Sequence, residues 1–328
     1  MMDPMIVDYL EGIELGEMQG FQNMGVVPLL APSEGGPSYL TLKGALEEGL
    51  LSVTEVSQGG SVPELKVTNN AESSVLLLDG EELAGAKQNR VLNTTILLKK
   101  KSDTVIPVSC TEHGRWSYAS AQFSDSGVVM PPAVRMRKAR SVAASLERSR
   151  EYRSDQTEVW DQVAELSARA AAPSPTGAMR DVFSAREHDL DDYLKAFECI
   201  EHQRGLLVII GSAVVAFDVL SRESAYKQLH PKLVKSYAMD ALLDAPKGAD
   251  KLSPDTARVF IKEACGCEEK KHSSVGLGWD CRFQGPNMVG SALTYRKTVI
   301  HAAFFRADES DKVGRVSSFR RRRDARIF

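Results

Sequence analysis

The chain has 328 residues, 43% hydrophobic and 26% charged, a composition that excludes a disordered or fibrous protein. Its net charge of −3 is unevenly spread, because residues 312–328 hold seven basic residues and one acid, whereas the remainder holds 34 basic and 43 acidic residues. An acidic body is not typical of a dedicated nucleic-acid-binding protein, so we expect no nucleic-acid partner except through this basic tail. The arginine run of the tail is Arg320, Arg321, Arg322 and Arg323.

The distribution of cysteine and apolar residues indicates a reduced, cytoplasmic protein. Five cysteines are too few and too unevenly placed for a disulfide framework in a chain of this length. The N-terminus is acidic and lacks the basic region and cleavage site of a signal peptide. The longest apolar run, residues 205–220, is short for a membrane span and is interrupted by Asp218. We therefore expect a cytoplasmic location and no membrane partner.

Residues 17–125, after a short acidic lead-in helix, alternate apolar runs with turn residues, which predicts an antiparallel sandwich or a barrel-like sheet. Pro28 indicates that the first strand lies at a sheet edge, since proline has no N–H to donate to a ladder. The predicted strands are residues 21–30, 39–42, 53–56, 65–69, 75–78, 91–98 and 104–110, with a helix over 43–52.

Residues 126–204 change to helical periodicity, with a break near residues 154–155. Residues 206–221 then place a Gly–Ser pair between two apolar arms, which predicts a buried hairpin. Further helices are predicted over 190–203, 221–229, 231–243 and 254–264, and further strands over 275–283, 290–296 and 298–306.

This order of elements predicts an α+β fold, in which largely antiparallel sheets from the N-terminal and C-terminal thirds pack against a helical middle section. We expect one domain over residues 1–311, made of a β-rich part (17–125), a helical part (126–204) and a mixed part (205–306). Residues 312–328 are expected to form a basic tail that either folds back on the acidic body or is disordered.

The first polar cluster lies where the apolar run 75–78 ends, and it combines two acids with amides and an arginine. Glu81 and Glu82 alternate in an extended chain, so we expect one to face inward while the other faces solvent. A carboxylate at a strand end can act as a general base, stabilise a cation or bind a divalent ion. Arg90 offers a fork of donors to a phosphate or carboxylate. The alternative is a solvated acidic turn with a structural salt bridge.

The second polar cluster follows the apolar strand that ends in Cys110, and it has the sequence EHGRW. Histidine is the residue type most easily poised for proton transfer at neutral pH, which makes His113 a candidate. Arg115 can bind an anion, and Trp116 can stack on a base or sugar. The alternative is a turn that carries a core tryptophan. Cys110 itself is expected to be a buried structural thiol, because a nucleophilic role would require a stabilised thiolate.

No sequence pattern assigns a metal or a cofactor. The Cys265–Gly266–Cys267 run with His272 and Cys281 does not match the common zinc spacings, so structural thiols are favoured. The chain also lacks a phosphate-binding Walker loop, a dinucleotide fingerprint, a G-x-S-x-G elbow and an H-E-x-x-H helix. The cofactor therefore stays unassigned, and no residue is proposed as a metal ligand.

Three stretches of the sequence, DGEELAGAKQNRVLNTTILL, VIPVSCTEHGRW and GSAVVAFDVLSRESAYKQLHPKLVKSYAMDAL, resemble the ARG and rhodanese-phosphatase-superfamily-associated domain family of bacteria and archaea. The resemblance covers roughly residues 15–306 and leaves out the basic tail. It implies an α+β fold and a role in nucleotide or ADP-ribose handling. The positions that match its two motifs are Glu81, Glu82, Gln88, Asn89, Arg90, Glu112, Gly114, Arg115 and Trp116, whereas His113 is a variable position.

These features favour an enzyme that acts on a nucleotide-like, phosphate-bearing ligand, in ADP-ribose or NAD metabolism. The candidate catalytic residues are Glu81, Glu82 and Glu112. The candidate ligand-binding residues are Gln88, Asn89, Arg90, His113, Arg115 and Trp116. A non-catalytic nucleotide or ADP-ribose sensor and a structural or interaction protein remain alternatives. The enzyme hypothesis requires that the acids and the two arginines converge on one concave surface.

Overall fold

The computed structural model describes residues 1–32, 36–57, 59–244 and 254–307, so the basic tail lies outside the described residues. The helices are α1 Pro4–Glu11, α2 Leu42–Glu47, α3 Pro132–Ser149, α4 Gln156–Arg169, α5 Met179–Ala185, α6 Glu187–Ala196, α7 Glu223–Leu243 and α8 Pro254–Cys265.

The strands are β1 Glu14–Leu15, β2 Gln19–Phe21, β3 Met24–Leu30, β4 Tyr39–Thr41, β5 Leu51–Glu55, β6 Glu64–Asn69, β7 Ser74–Leu77, β8 Glu81–Gly85, β9 Arg90–Leu92, β10 Ile96–Leu98, β11 Ser102–Cys110, β12 Phe123–Val129, β13 Gly205–Ile210, β14 Ala213–Leu220, β15 Glu268–Ser273, β16 Trp279–Gln284, β17 Met288–Tyr295 and β18 Thr298–Arg306.

The predicted α+β class is confirmed, and the sheets are almost entirely antiparallel. Within the described part of the chain, the parallel pair is β4 with β7. None of the described helices has the length and apolar character needed to cross a membrane.

The largest sheet has nine strands in the order β1-β3-β13-β14-β18-β17-β16-β15, with β2 also paired to β3. Side chains alternate between its two faces. Val27 and Phe217 pack with α1 and α8 on one face, whereas Val26 and Ala216 pack with α3 and α7 on the other. The predicted hairpin over 206–221 is confirmed as the central pair β13–β14.

A six-stranded sheet in the order β12-β8-β9-β11-β6-β5 forms the second layer that matters for the site. Its edge strands β5 and β12 contact each other, so the sheet curls into an incomplete barrel. Val53, Leu65, Leu83, Ile106 and Phe123 fill the interior. The ends of β5, β8 and β11 and the beginnings of β9 and β12 meet at one end of this barrel, which we call the barrel mouth.

Two predicted strand features are wrong. Residues 91–98 do not form one strand, because the chain passes from β9 to β10, in a different sheet, at Thr94 and Thr95. The hydroxyl groups of these threonines bind Asp280 and His301 on the large sheet, which holds the chain there. Pro28 does not lie at an edge, since β3 pairs with β13 and with β1 and β2. Its nitrogen instead faces the gap between β1 and β2, on the side where its carbonyl accepts from Gly16.

Two predicted helix boundaries are also wrong. The two helices predicted over 221–229 and 231–243 form a single helix, α7 (Glu223–Leu243), with Pro231 inside it. Leu229, Leu233 and Tyr237 are buried on both sides of the proline and fix the helix by packing. The predicted helix over 190–203 ends at Ala196. Strand β12, which begins at Phe123, extends into the region assigned to helices.

Buried charged side chains join the two large sheets. Arg135 of α3 donates through both terminal nitrogens to the carboxylate of Asp218 on β14, at 2.9 and 2.8 Å. Tyr237 and His301 also bind this carboxylate, at 2.6 and 3.1 Å. Lys138 of α3 binds Asp79, which directly precedes the turn into β8. We call these six residues the Asp218 network: Asp79, Arg135, Lys138, Asp218, Tyr237 and His301.

The Asp218 network fixes the backbone that begins β8. Gly80 has φ +85°, in the left-handed region that favours glycine. A Cβ at this position would lie 2.9 Å from Cδ of Arg135. The network therefore determines where the two glutamates of β8 are placed.

Candidate functional site

Both glutamates of the first polar cluster are buried, so the expectation that one faces solvent is wrong. Glu81 and Glu82 begin strand β8, and each is 0% exposed. They do alternate across the strand, but β8 lies between β12 and β9, and both of its faces are covered. Their different partners give them different chemistry.

Glu81 belongs to a closed ion cluster. Its carboxylate accepts from Nζ of Lys232 on α7 at 2.7 Å and from the backbone N–H of Leu78 at 2.8 Å. The same ammonium binds Asp125 of β12 at 2.7 Å. Burial opposes the charge on the amine, but the carboxylates of Glu81 and Asp125 raise the pKa of Lys232. Glu81 therefore connects β8 to α7 through a buried ion pair.

Glu82 is the unusual acid of the site. One carboxyl oxygen accepts from the hydroxyl of Thr111 at 2.6 Å. The other, Oε2, is buried and makes no hydrogen bond within the described part of the chain, although Ser126 lies close enough to favour the ionised form. Burial raises the pKa of Glu82 to about 7, against the opposing effects of Thr111, Ser126 and Arg180. A carboxyl group poised near neutral pH can both donate and accept a proton.

A polar cleft of ≈ 380 Å³ lies beside Glu82. Ala84, two residues further along β8 and therefore on the same face as Glu82, lines this cleft with its neighbour Ser124. The remaining walls include Asn89, Glu112, Arg115 and Arg180. Glu112 and Arg180 also act on Glu82 electrostatically, which places the acid just behind the wall.

Glu112 and Arg115 build one wall of the cleft as a bidentate ion pair. Nε and Nη2 of Arg115 donate to the two carboxylate oxygens of Glu112 at 2.9 and 2.6 Å. Nη1 donates to the carbonyls of Ala86 and Ser117, at 2.7 and 2.9 Å. Burial alone would raise the pKa of Glu112, but hydrogen bonds from Arg115, Asn89 N–H and Thr176 lower it. Every nitrogen of this guanidinium is therefore engaged inside the protein, and Arg115 supports the wall.

Arg180 is a charged cleft residue that the sequence did not reveal. It is exposed, lies in the first turn of α5, and makes no hydrogen bond or ion pair with any residue the structure describes. A backbone bridge between Glu112 and Ala178 brings this helix to the wall of the cleft. The available signal was the turn 173-PSPTG-177, which begins a new helix with an arginine in its first turn.

Arg90, Gln88 and Trp116 lie at the barrel mouth. Arg90 pairs in register with Leu83 and Cys110, so its side chain points to the same face as theirs. Nη1 donates to the side chain of Gln88 at 3.0 Å, and the ring of Trp116 lies 5.8 Å from the guanidinium carbon. Gln88 in turn donates to the carbonyl of Glu112, which connects the mouth to the cleft wall.

His113 lies on a third surface. It is exposed and packs edge-on against Trp160 of α4, with ring centroids 4.3 Å apart. Both residues line a largely apolar groove of ≈ 860 Å³ that runs along α4. The predicted residues therefore divide between the cleft (Asn89, Glu112, Arg115), its buried wall (Glu82), the barrel mouth (Gln88, Arg90, Trp116), the Lys232 cluster (Glu81) and this groove. The expectation that the acids and the two arginines converge on one concave surface is wrong, because Glu81 and Arg90 lie outside the cleft.

Metal binding finds no support in the described ranges, which contain no group of three or more histidine, cysteine, aspartate or glutamate side chains placed to hold an ion.

A protein-family model matches most of the chain. The model of the family described as ARPP-1, the ARG and Rhodanese-Phosphatase-superfamily-associated Protein domain, matches residues 12–305. No curated protein and no solved structure matches the chain.

Proposed function

The chain belongs to the ARPP-1 family, and from the cleft that this domain contains we propose that it is an enzyme acting on a small, nucleotide-like ligand that carries a phosphate. The observation that supports this proposal most is Glu82, a buried carboxyl group with a pKa of about 7 and an unpartnered oxygen behind the cleft wall. Such perturbed acids cluster at catalytic sites.

In the proposed reaction, Arg180 binds the phosphate of the ligand and Glu82 removes a proton from the water that attacks it. The bond between this phosphate and its ester or anhydride oxygen then breaks, and the protonated Glu82 returns the proton to the leaving oxygen. An exposed arginine without an internal partner is free to donate to two phosphate oxygens. Glu82 and Thr111, whose hydroxyl donates to its carboxylate, are both 0% exposed, so the proposed proton transfer requires the cleft wall to open and admit the water. The proposed activity is hydrolysis, in ADP-ribose or NAD metabolism.

The size of the cleft narrows the ligand class. Small-molecule pockets span about 300–1,000 Å³, and ≈ 380 Å³ lies near the lower limit. A ribose phosphate or a mononucleotide suits this volume better than a whole dinucleotide. The phosphate-bearing end of ADP-ribose is therefore the part that the cleft would hold.

A non-catalytic binding module is the second candidate, and the burial of Glu82 favours it. Because its carboxylate is 0% exposed, a ligand can occupy the cleft and contact Arg180 without touching the acid. The two candidates share a ligand class and differ in whether the ligand is consumed.

One experiment separates these candidates. Thermal shift is measured with ribose 5-phosphate, AMP and ADP-ribose, and each mixture is then analysed by chromatography. For an enzyme, wild type is stabilised and converts the ligand, Glu82→Gln is stabilised without conversion, and Arg180→Gln is not stabilised. Arg148→Gln, which removes an exposed arginine of α3 that does not line the cleft, is the matched control and should behave as wild type.

The outcomes decide between the candidates. A stabilised wild type whose ligand stays unaltered indicates a binding module. Absence of stabilisation by all three ligands overturns the proposed ligand class, and full turnover by Glu82→Gln overturns the proposed role of Glu82.

A further inference from the structure

Arg90 is a fully buried arginine that is anchored through only part of its guanidinium. It is 0% exposed, and its Nη1 donates to Gln88 Oε1 at 3.0 Å. Within the described residues, nothing accepts a hydrogen bond from the buried atoms Nε and Nη2. A buried charged donor without an acceptor destabilises the protein, so the free edge requires an explanation.

The free edge of Arg90 is the edge that other arginines of this chain use to bind carboxylates. Arg115 binds Glu112 through Nε and Nη2, at 2.9 and 2.6 Å. Arg282 binds Asp280 through the same two nitrogens, at 2.6 and 2.9 Å. Arg90 presents this fork with no oxyanion opposite it. Two parallel N–H donors match the geometry of a carboxylate or a phosphate.

The surroundings of Arg90 suit a small ligand that enters from solvent. Trp116 lies over the guanidinium and is 50% exposed, and Tyr118 beside it is 53% exposed. The ammonium of Lys87 lies 5.1 Å from the ring centre of Trp116 and 5.2 Å from that of Tyr118. These three side chains form an aromatic and cationic rim around the buried arginine. A planar acid would find stacking surface and positive charge there.

Glu55 is an internal carboxylate that could compete for the fork. Its negative charge acts on Arg90, yet its carboxylate binds the N–H of Lys87 at 3.4 Å, and its Oε2 is buried without a hydrogen bond in the part of the chain described. Glu55 therefore lies near the fork without occupying it. It would oppose an entering anion by charge repulsion.

We propose that the barrel mouth is an oxyanion-binding site, in which the Nε–Nη2 edge of Arg90 binds the carboxylate or phosphate of a small planar ligand beneath Trp116. Entry requires Trp116 to move aside, since the fork has no exposed surface of its own. The site is independent of the proposed function, because none of Glu55, Lys87, Arg90 or Trp116 lines the cleft.

Trp116 provides the measurement. The chain has three tryptophans, so Trp160→Phe with Trp279→Phe leaves Trp116 as the only indole reporter. This background is titrated with inorganic phosphate and with benzoate at constant ionic strength, which distinguishes a phosphate ligand from a planar carboxylate. At least one probe is expected to change the Trp116 emission saturably.

Three variants in this background test the assignment. Arg90→Lys keeps the charge but loses the fork, so binding should weaken at least about tenfold. Glu55→Gln removes the repelling charge, so binding should tighten about tenfold. Arg180→Gln changes only the cleft and should leave the emission change intact, which separates this proposal from the proposed function. Circular dichroism confirms that each variant is folded.

Opposite results overturn the proposal. One is that neither probe changes the Trp116 emission saturably in the background or in the Glu55→Gln variant. Another is that Arg90→Lys binds the probe with unaltered affinity. A third is a Glu55→Gln variant with a lowered Tm and no anion binding, because Glu55 would then be the partner of Arg90.

Discussion

The charged side chains of the Asp218 network bind one another, whereas Glu82 of β8 and Arg90 of β9 each keep polar atoms without a hydrogen bond within the described residues. In the network, the carboxylate of Asp218 receives Arg135, Tyr237 and His301, and it has no exposed surface. By contrast, Glu82 and Arg90 are equally buried, and each keeps a polar edge without a partner. Burial alone therefore does not distinguish charged groups that stabilise the fold from those that are candidates for binding or catalysis.

Closed and open charges differ in what they can offer to a ligand. The closed network holds the two sheets together, and each of its charged groups has a counter-ion. Even Nε of Arg135, which makes no hydrogen bond within the described residues, lies 3.7 Å from a carboxylate oxygen of Asp79. An open edge costs stability in the free protein, and such costs are typical of functional sites. Removing a charge of the closed network should therefore destabilise the protein, whereas removing a charge with an open edge should not.

The largest effect is expected from Asp218→Asn. The change removes the carboxylate that binds both terminal nitrogens of the buried Arg135 and leaves it only the more distant Asp79, and breaking such a pair costs about 3–5 kcal/mol. Urea unfolding at neutral pH measures the change in the free energy of unfolding. Glu147→Gln, which removes an exposed ion pair with Lys270, is the control and should change that free energy by less than about 1 kcal/mol. Equal effects of the two variants would contradict the importance of the network.

The second effect has the opposite sign. The folded-state pKa of Glu82, about 7, exceeds its ordinary value of 4.5, so the unfolded chain ionises first as the pH rises. Wild-type stability from this group therefore falls between about pH 4.5 and pH 7 and stays low above pH 7. At 1.36 kcal/mol per pKa unit, Glu82→Gln should be about 3 kcal/mol more stable than wild type at pH 8.

Urea unfolding of both proteins at pH 4 and pH 8 checks this prediction. The two stabilities should approach each other at pH 4, where the carboxyl group is protonated in the folded and the unfolded chain. A Glu82→Gln variant that is less stable than wild type at pH 8 would show that the carboxylate is satisfied in solution.

Glu112→Gln tests a closed ion pair in the wall of the cleft, the one between Glu112 and Arg115. Hydrogen bonds from Arg115 lower the pKa of Glu112, so its contribution is present at neutral pH and is lost as the pH falls through the lowered value. Losing the charged fork should cost about 2 kcal/mol at pH 7 and much less in acid. Thermal unfolding across pH 3–8 tests this, and a pH-independent loss would contradict the proposed ionic role of the wall.

The sequence was sufficient for the features that depend on local pattern. The Gly–Ser turn between β13 and β14 and the helix break before α4, capped by Asp155, follow from local turn and capping chemistry. The fold class followed from the order of such elements. The polar clusters were also visible, because several functional side-chain types adjoin apolar strands.

Tertiary pairing determined what the sequence could not reveal. Glu82 is buried because tertiary packing covers both faces of β8, and the strand paired with β8, β12, extends into a region with helical periodicity. The saturation of Arg115 depends on carbonyls of Ala86 and Ser117, which sequence patterns cannot place. Arg180 reaches the cleft only through the pairing of Glu112 with Ala178, 66 positions apart in the chain.

The smallest effect is expected from Arg90→Met. Because Nε and Nη2 have no acceptor among the described residues, methionine removes an unpaired buried charge and fills similar apolar volume beneath Trp116. The lost bond to Gln88 opposes this gain, so the free energy of unfolding should change by less than about 1 kcal/mol. Arg135→Met, at an equally buried arginine whose carboxylate partner stays behind, should cost about 3–5 kcal/mol in the same urea experiment. If both substitutions destabilised equally, Arg90 would have a partner in solution, and the distinction between closed and open charges would fail.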